Sequence, residues 1–179
     1  RPSCIAVGSH NLIVKELPFL WGKDVFETGK MIRGLVKRGG GHRTILRIGP
    51  AGEVLPALAE SWEYVDATTF RFTIGEGYVF HNGAPLTPQD VVFSIERLRD
   101  IPRVTGIMSN IAAVEVTGER EVTITLVEPN SSTIRELVAD VPVMNEAYAT
   151  TPGVDYANEP IGTGPYVVSN YVPGDRLEL

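Results

Sequence analysis

Apolar and polar positions alternate every second residue in two stretches of this chain, with a helical rhythm between them. Trp62 and Tyr64 flank Glu63, and Phe70, Phe72 and Ile74 alternate with Arg71 and Thr73. Asp66-Ala67-Thr68 separates the two runs, which predicts a β-hairpin over 61–74 with one apolar face on each strand. Val114 and Val116, then Val122, Ile124 and Leu126, repeat the pattern around Gly118-Glu119-Arg120 and predict a second hairpin over 114–126. Between them Val91, Ile95 and Leu98 recur at helical spacing, with Val92 beside them. Glu96, Arg97, Arg99 and Asp100 cover the other side. Thr87-Pro88-Gln89-Asp90 opens this helix with a hydroxyl cap, a ring-fixed first residue and a carboxylate that can return a bond. Pro102 ends it.

The flanks carry weaker rhythm. Residues 1–10 read as a loose end. Leu12-Ile13-Val14 predicts a short strand within 11–16, which Pro18 and Gly22 keep from continuing. Asp24 caps an expected helix to about Lys37, ended by Gly39-Gly40-Gly41. A strand over 44–48 and a turn over 49–52 follow, and Pro56 is expected to start a helical turn within Val54–Glu60. Tyr78 to His81 is extended and leads into a turn at Asn82-Gly83. Farther on, Ser131 or Ser132 caps a short helix through Val138, Val141–Met144 is a strand, and Asn145–Thr150 is a helical turn. Tyr166–Val172 and Arg176–Leu179 read as strands split by Pro173-Gly174. The chain stops inside the last of these, which reads as a truncation. The elements together imply a mixed α+β fold with antiparallel hairpins packed on helices.

Composition narrows the function. At 179 residues, 43% apolar and 21% charged, the chain reads as globular and long enough for its own core. No apolar run approaches the roughly 20 residues of a membrane-spanning helix. The net charge of -6, with no basic cluster, gives nucleic acid no electrostatic footing. Cys4 is the single cysteine, so no intrachain disulfide and no multi-cysteine metal site exists. Arg1-Pro2-Ser3 lacks the small apolar run that precedes a lipidated cysteine, so Cys4 reads as a plain terminal residue. Arg1 to Ser9 likewise has no apolar core of a signal peptide.

Chemistry is sparse. Gly162-Thr163-Gly164 is followed by Pro165 and a strand-like run instead of a helix, so it reads as a tight turn and not a phosphate loop. His10, His42 and His81 share no helical spacing that would pair them on a metal. His81, beside Asn82-Gly83, reads as a turn residue bonded to backbone. No serine sits in a G-x-S-x-G elbow, and no catalytic residue, metal set or cofactor is predicted. The one hint of a ligand surface is the loop Leu17-Pro18-Phe19-Leu20-Trp21, rich in apolar bulk, with Glu16 before it as a partner for a ligand amine. Such ring and indole side chains more often roof a core.

Three stretches resemble one known family. They are Glu53–Trp62 (EVLPALAESW), Gly77–Leu98 (GYVFHNGAPLTPQDVVFSIERL) and Pro160–Tyr166 (PIGTGPY), with Thr69–Ile74 in place before the second. In order and spacing they are similar to the extracellular solute-binding proteins of family 5, which serve peptide, nickel, opine and oligosaccharide importers. Residues 53–179 carry the resemblance. Before that range, Gly39 to Ile48 departs from the family's usual short connection. The resemblance implies a periplasmic-binding-protein-like fold of two lobes, of which this chain holds the first part of lobe one. It assigns residues 1–49 to the strand and helix that open that lobe, 50–150 to an inserted α+β subdomain and 151–179 to return strands, with the second lobe absent. It implies binding of a peptide-like or other small solute without chemistry and without a cofactor, with part of the ligand contacts in the opening segment, where the residues themselves offer Glu16, Leu17, Pro18, Phe19 and Trp21. It implies an ABC transporter permease as partner and a periplasmic or extracytoplasmic place, with a lipid anchor open to the longer form. An enzyme, or a sensor domain that reuses the scaffold, is the alternative. A cut between lobes would bare strand edges near Leu12–Val14 and Tyr166–Leu179, so self-association through them is expected.

Overall fold

Alternation builds the central sheet, and a capped helix closes one face of it. The computed structural model describes residues 4–6, 12–15, 43–130, 132, 141–156, 159–165, 167–172 and 176–178. In chain order these hold β1 (Cys4–Ala6), β2 (Leu12–Lys15), β3 (Leu46–Ile48), β4 (Val54–Pro56), β5 (Ala59–Tyr64), β6 (Thr69–Ile74), α1 (Pro88–Glu96), α2 (Thr105–Met108), β7 (Ile111–Val116), β8 (Glu121–Leu126), α3 (Glu146–Ala149), β9 (Asn170–Val172) and β10 (Arg176–Glu178). Three antiparallel sheets result, ordered β1-β2-β10-β9, β3-β4 and β5-β6-β8-β7.

Both expected hairpins form. Trp62 faces Phe72 and Tyr64 faces Phe70 across β5–β6, while Val114 faces Ile124 and Val116 faces Val122 across β7–β8. Strands β6 and β8 lie side by side in the middle, so Phe70, Phe72, Ile74, Val122, Ile124 and Leu126 form one buried row that packs with Val91 and Ile95 of α1. Phe70 and Phe72 meet edge to face at 4.6 Å. The opposite face is polar: Arg71 reaches Glu63 at 3.2 Å and Glu121 at 4.0 Å across the strands.

Helix α1 begins as its sequence requires. The Thr87 hydroxyl accepts from the Asp90 amide, and the Asp90 carboxylate accepts from the Thr87 amide at 2.9 Å, a complete capping box with Pro88 at the first turn. After Glu96 the coil tightens into a 3-10 turn over Arg97–Asp100. Ile101 is extended, and Pro102 opens another 3-10 turn.

Several expectations need correction. Val54–Glu60 is not helical: Val54–Pro56 pairs with Leu46–Ile48, and Ala59 already begins β5. Pro56 tolerates this because its carbonyl, not its missing N–H, is used, accepting from Arg47 Nε at 3.2 Å. Cys4–Ala6 is not a loose end but pairs with Leu12–Val14. The strand expected over 44–48 shortens to Leu46–Ile48, with Thr44 bridging Pro142. That bridge, with the Val143 amide on the Arg43 carbonyl, is all the strand character of 141–144. The strand expected over 166–172 narrows to Asn170–Val172. The helical turn expected over 145–150 forms as α3, and Asn145 caps it through its side chain. The helix expected over 24–37, that over 131–138 apart from Ser132, and the turn at Pro173-Gly174 lie outside the described residues.

Candidate functional site

Glu16, Leu17, Pro18, Phe19 and Trp21, the expected ligand contacts, lie outside the described residues. The chain before them does not: β2 ends at Lys15, which pairs with Arg176 of β10. The candidate loop therefore follows directly on a strand shared between the beginning and the end of the sequence.

The described polar groups converge instead on a seam beside the central sheet. At its base, the buried Asp90 does more than cap α1. Its Oδ1 accepts from the Glu146 amide at 2.8 Å and from Asn145 Nδ2 at 3.3 Å. Ser94, one turn on and fully buried, donates to the Asp90 carbonyl at 2.6 Å and accepts from the Met144 amide at 2.8 Å. Two helix residues thus fasten 144–146 to α1. From there Val143 donates to the Arg43 carbonyl, and Arg43 Nε donates to the Thr163 carbonyl at 3.1 Å. The Arg43 guanidinium lies 5.4 Å from the centre of the Tyr78 ring, whose hydroxyl donates to the Ala57 carbonyl at 2.8 Å.

The glycine turn docks on this frame. The His81 amide donates to the Gly162 carbonyl at 2.9 Å, the Gly162 amide donates to His81 Nδ1 at 3.2 Å, and His81 Nε2 meets the Gly164 carbonyl at 2.8 Å. Gly83 takes a φ of +83° at the hairpin tip, a conformation that favours glycine, and its amide donates to the Phe80 carbonyl. His81, Asn82, Gly83 and Gly162–Gly164 therefore act as turn residues, as their sequence suggests. The Gly162 amide is occupied by an imidazole and is not open to phosphate. Thr163 buries its hydroxyl without a partner among the described residues. Next to the turn, the Tyr156 hydroxyl donates to the Ile161 carbonyl, and burial holds its pKa well above the ordinary tyrosine range, so it stays a neutral donor.

Sequence reasoning found His81 and the glycine turn but not Arg43, Ser94 or Asn145 as their supports. Arg43 and Thr163 are 120 positions apart, and no local pattern announces such a bond. Elsewhere, a crevice of about 300 Å³ opens at one end of the sheet among Tyr64, Thr68, Phe70, Leu126, Pro129 and Asn130. It has no charged group to orient a ligand. Among the described residues no three or more His, Cys, Asp or Glu converge as metal ligands, and no helix is long and apolar enough to cross a membrane.

Residues 53–179 match the family described as bacterial extracellular solute-binding proteins, family 5, middle part. The di/tripeptide-binding protein 1 of Pseudomonas aeruginosa is 34% identical over 146 residues, covering 66% of this chain and 27% of that protein. The HTH-type transcriptional regulator SgrR of Escherichia coli is 31% identical over 117 residues, covering 65% of this chain and 20% of the regulator. A solved nickel ABC transporter structure from Bacillus halodurans matches with a TM-score of 0.69 at 28% identity, over 82% of this chain and 30% of that one. The chain thus spans between a fifth and a third of the length of these relatives.

Proposed function

Because this chain belongs to the bacterial extracellular solute-binding proteins of family 5, we propose that it supplies part of one lobe of a protein that captures a small solute for an ABC importer. The match across 53–179 carries the reading, since it takes in both hairpins, the capped helix and the glycine turn. On this reading residues 1–49 open the lobe, 50–150 form its inserted subdomain and 151–179 return to it. The pairing of β2 with β10 supports that division, because it brings the first and last segments into one sheet. The second lobe belongs to sequence outside this chain, in keeping with the share of each relative that is matched.

The mechanism is capture without catalysis. Solute enters between the lobes, the lobes close by hinge motion, and the closed form docks on a permease outside the cytoplasm. The solute is peptide-like or another small polar molecule; the named relatives are a di/tripeptide-binding protein and a nickel transporter. Glu16, Leu17, Pro18, Phe19 and Trp21 contribute this lobe's contacts, the carboxylate taking an amine. Calorimetric titration with dipeptides, an opine and a nickel–histidine complex tests this. A two-lobed form of the protein should bind one of them at micromolar affinity or tighter, and this chain alone at most weakly, since half a site leaves most of the association cost unmet. No binding by the two-lobed form defeats solute capture; tight binding by this chain defeats the half-site.

A sensor role is the second reading, favoured by the likeness to a transcriptional regulator. Sequence-specific DNA binding by the longer protein, persisting at physiological salt, would select it. Self-association has narrower room than the strand edges first imply. Strands β2 and β10 pair with each other, leaving β1 and β9 as the outer strands of their sheet. Sedimentation over a concentration series measures what remains.

A further inference from the structure

The bonds around His81 define one protonation state of its ring. A backbone N–H only donates and a backbone carbonyl only accepts. The Gly162 amide donates to Nδ1, so Nδ1 carries no proton. Nε2 lies 2.8 Å from the Gly164 carbonyl, so Nε2 carries one. The ring is therefore the neutral Nε2–H imidazole, spanning the turn from its first glycine to its last. A protonated ring carries hydrogen on both nitrogens. Its Nδ1–H would then point at the Gly162 N–H, turning an attraction into a clash of donors and stranding that buried amide. The other charged and titratable groups at the turn do not relieve this. Arg43 holds the Thr163 carbonyl and lies against Tyr78, and Tyr156 holds the Ile161 carbonyl. Among the described residues the ion pairs join Arg71, Arg99 and Arg120 to glutamates, and neither His81 nor Arg43 has a carboxylate partner.

We propose that His81 is a proton-operated latch, closed when neutral, that fastens the 78–85 hairpin to the Gly162–Gly164 turn and lets go on acidification. The joint matters because of what it connects. The hairpin leads into α1 through the capping box, and the turn leads toward β9 and β10, which share a sheet with β2. Releasing the ring loosens the hairpin that precedes α1 from the turn that precedes β9. The peptide carbonyl of Thr163 stays on Arg43, so the release is local rather than global.

Amide hydrogen exchange on the protein tests this, read residue by residue at about pH 7.5 and about pH 5, either side of the range where histidine changes charge. After correction for the intrinsic rate, protection at Gly162 and His81 should fall about tenfold at the lower pH, the size of one net hydrogen bond. Amides of Phe72 and Ile124 should keep theirs. Equal protection of the turn at both values, or equal loss in the sheet, overturns the proposal. His81→Asn keeps an acceptor near Nδ1 that does not titrate, so its turn protection should be the same within about twofold at both values. A tenfold fall there as well would assign the effect to another group and overturn the latch. Should that variant not fold, nitrogen NMR of the wild-type imidazole decides: an unprotonated Nδ1 at the higher pH supports the latch, and an Nδ1–H tautomer overturns it.

Discussion

In the β5-β6-β8-β7 sheet, one strand after another turns an apolar row onto the same core. Along the seam, Asp90, Ser94, Asn145, Arg43 and His81 each make directed bonds to backbone groups of 144–148 or of the 162–164 turn. The first region is held by area removed from water, which is tolerant of detail and spread over many side chains. The second is held by directed bonds from groups that range from buried (Asp90, Ser94, Asn145) through half-buried (His81) to exposed (Arg43), and in its buried part each lost partner leaves another unsatisfied.

The largest effect should come from the sheet. Phe72 is fully buried in the middle of β6 and meets Phe70 edge to face. Phe72→Ala should cost about 3–5 kcal/mol in urea unfolding. A loss below about 1 kcal/mol would show that the aromatic row is not the main source of stability and would erase the contrast with the seam. Next comes Asp90→Ala, which strips partners from the Thr87 amide, the Glu146 amide and Asn145. It should cost about 2–3 kcal/mol. Its signature is spatial: hydrogen exchange should quicken over 144–149 while β6 and β8 stay protected. Quickening in β6 and β8 by the same factor would mean that the two regions unfold as one.

How much could be read in advance follows the same division. Period-two alternation at 61–74 and 114–126 and the Thr87–Asp90 box are local signals, and both hairpins and α1 formed where they pointed. Val54–Glu60 misled because Pro at a helix start and Pro at a strand's end look alike locally, and pairing with 46–48 decided between them. Cys4–Ala6 misled because three residues of strand acquire meaning only opposite β2. For the seam, His81 and the glycine turn were visible as turn chemistry, but not that they bind each other across 81 positions. The expected ligand contacts at 16–21 fall outside the described residues and rest on the family resemblance and on their own apolar bulk.

A smaller test separates charge from geometry within the seam. Arg43 donates through Nε and lies against Tyr78, and a lysine has neither the second fixed donor nor the flat cation. Arg43→Lys should cost about 0.5–1.5 kcal/mol. In a double-mutant cycle it should couple to His81→Asn, because both hold the same three-residue turn, and it should add independently to Phe72→Ala. Independence from His81 would dissolve the seam into unrelated bonds.

The smallest effect probes a polar device that belongs to the sheet. Asp66 sits in the β5–β6 turn, where its Oδ1 accepts from the Thr68 amide at 2.7 Å, the Thr68 hydroxyl at 2.9 Å and the Thr69 amide at 2.8 Å. The bond from the Thr68 backbone, then those from Thr69 and the Thr68 hydroxyl, hold its carboxyl below the ordinary carboxylate range. A lowered folded-state pKa means that the unfolded chain binds the proton first. The stabilisation is therefore complete above the unfolded value of about 3.9 and is lost as pH falls through the lowered one. Asp66→Asn keeps an acceptor of the same shape and removes the charge. The stability gap between wild type and variant should be constant from neutral pH to about pH 5, then narrow below about pH 4. Because the turn is exposed to solvent and salt, the gap should be the least of those considered and should shrink in concentrated salt. A gap that narrows already between about pH 7 and pH 5, where histidine and not aspartate titrates, would show that a group other than Asp66 controls it.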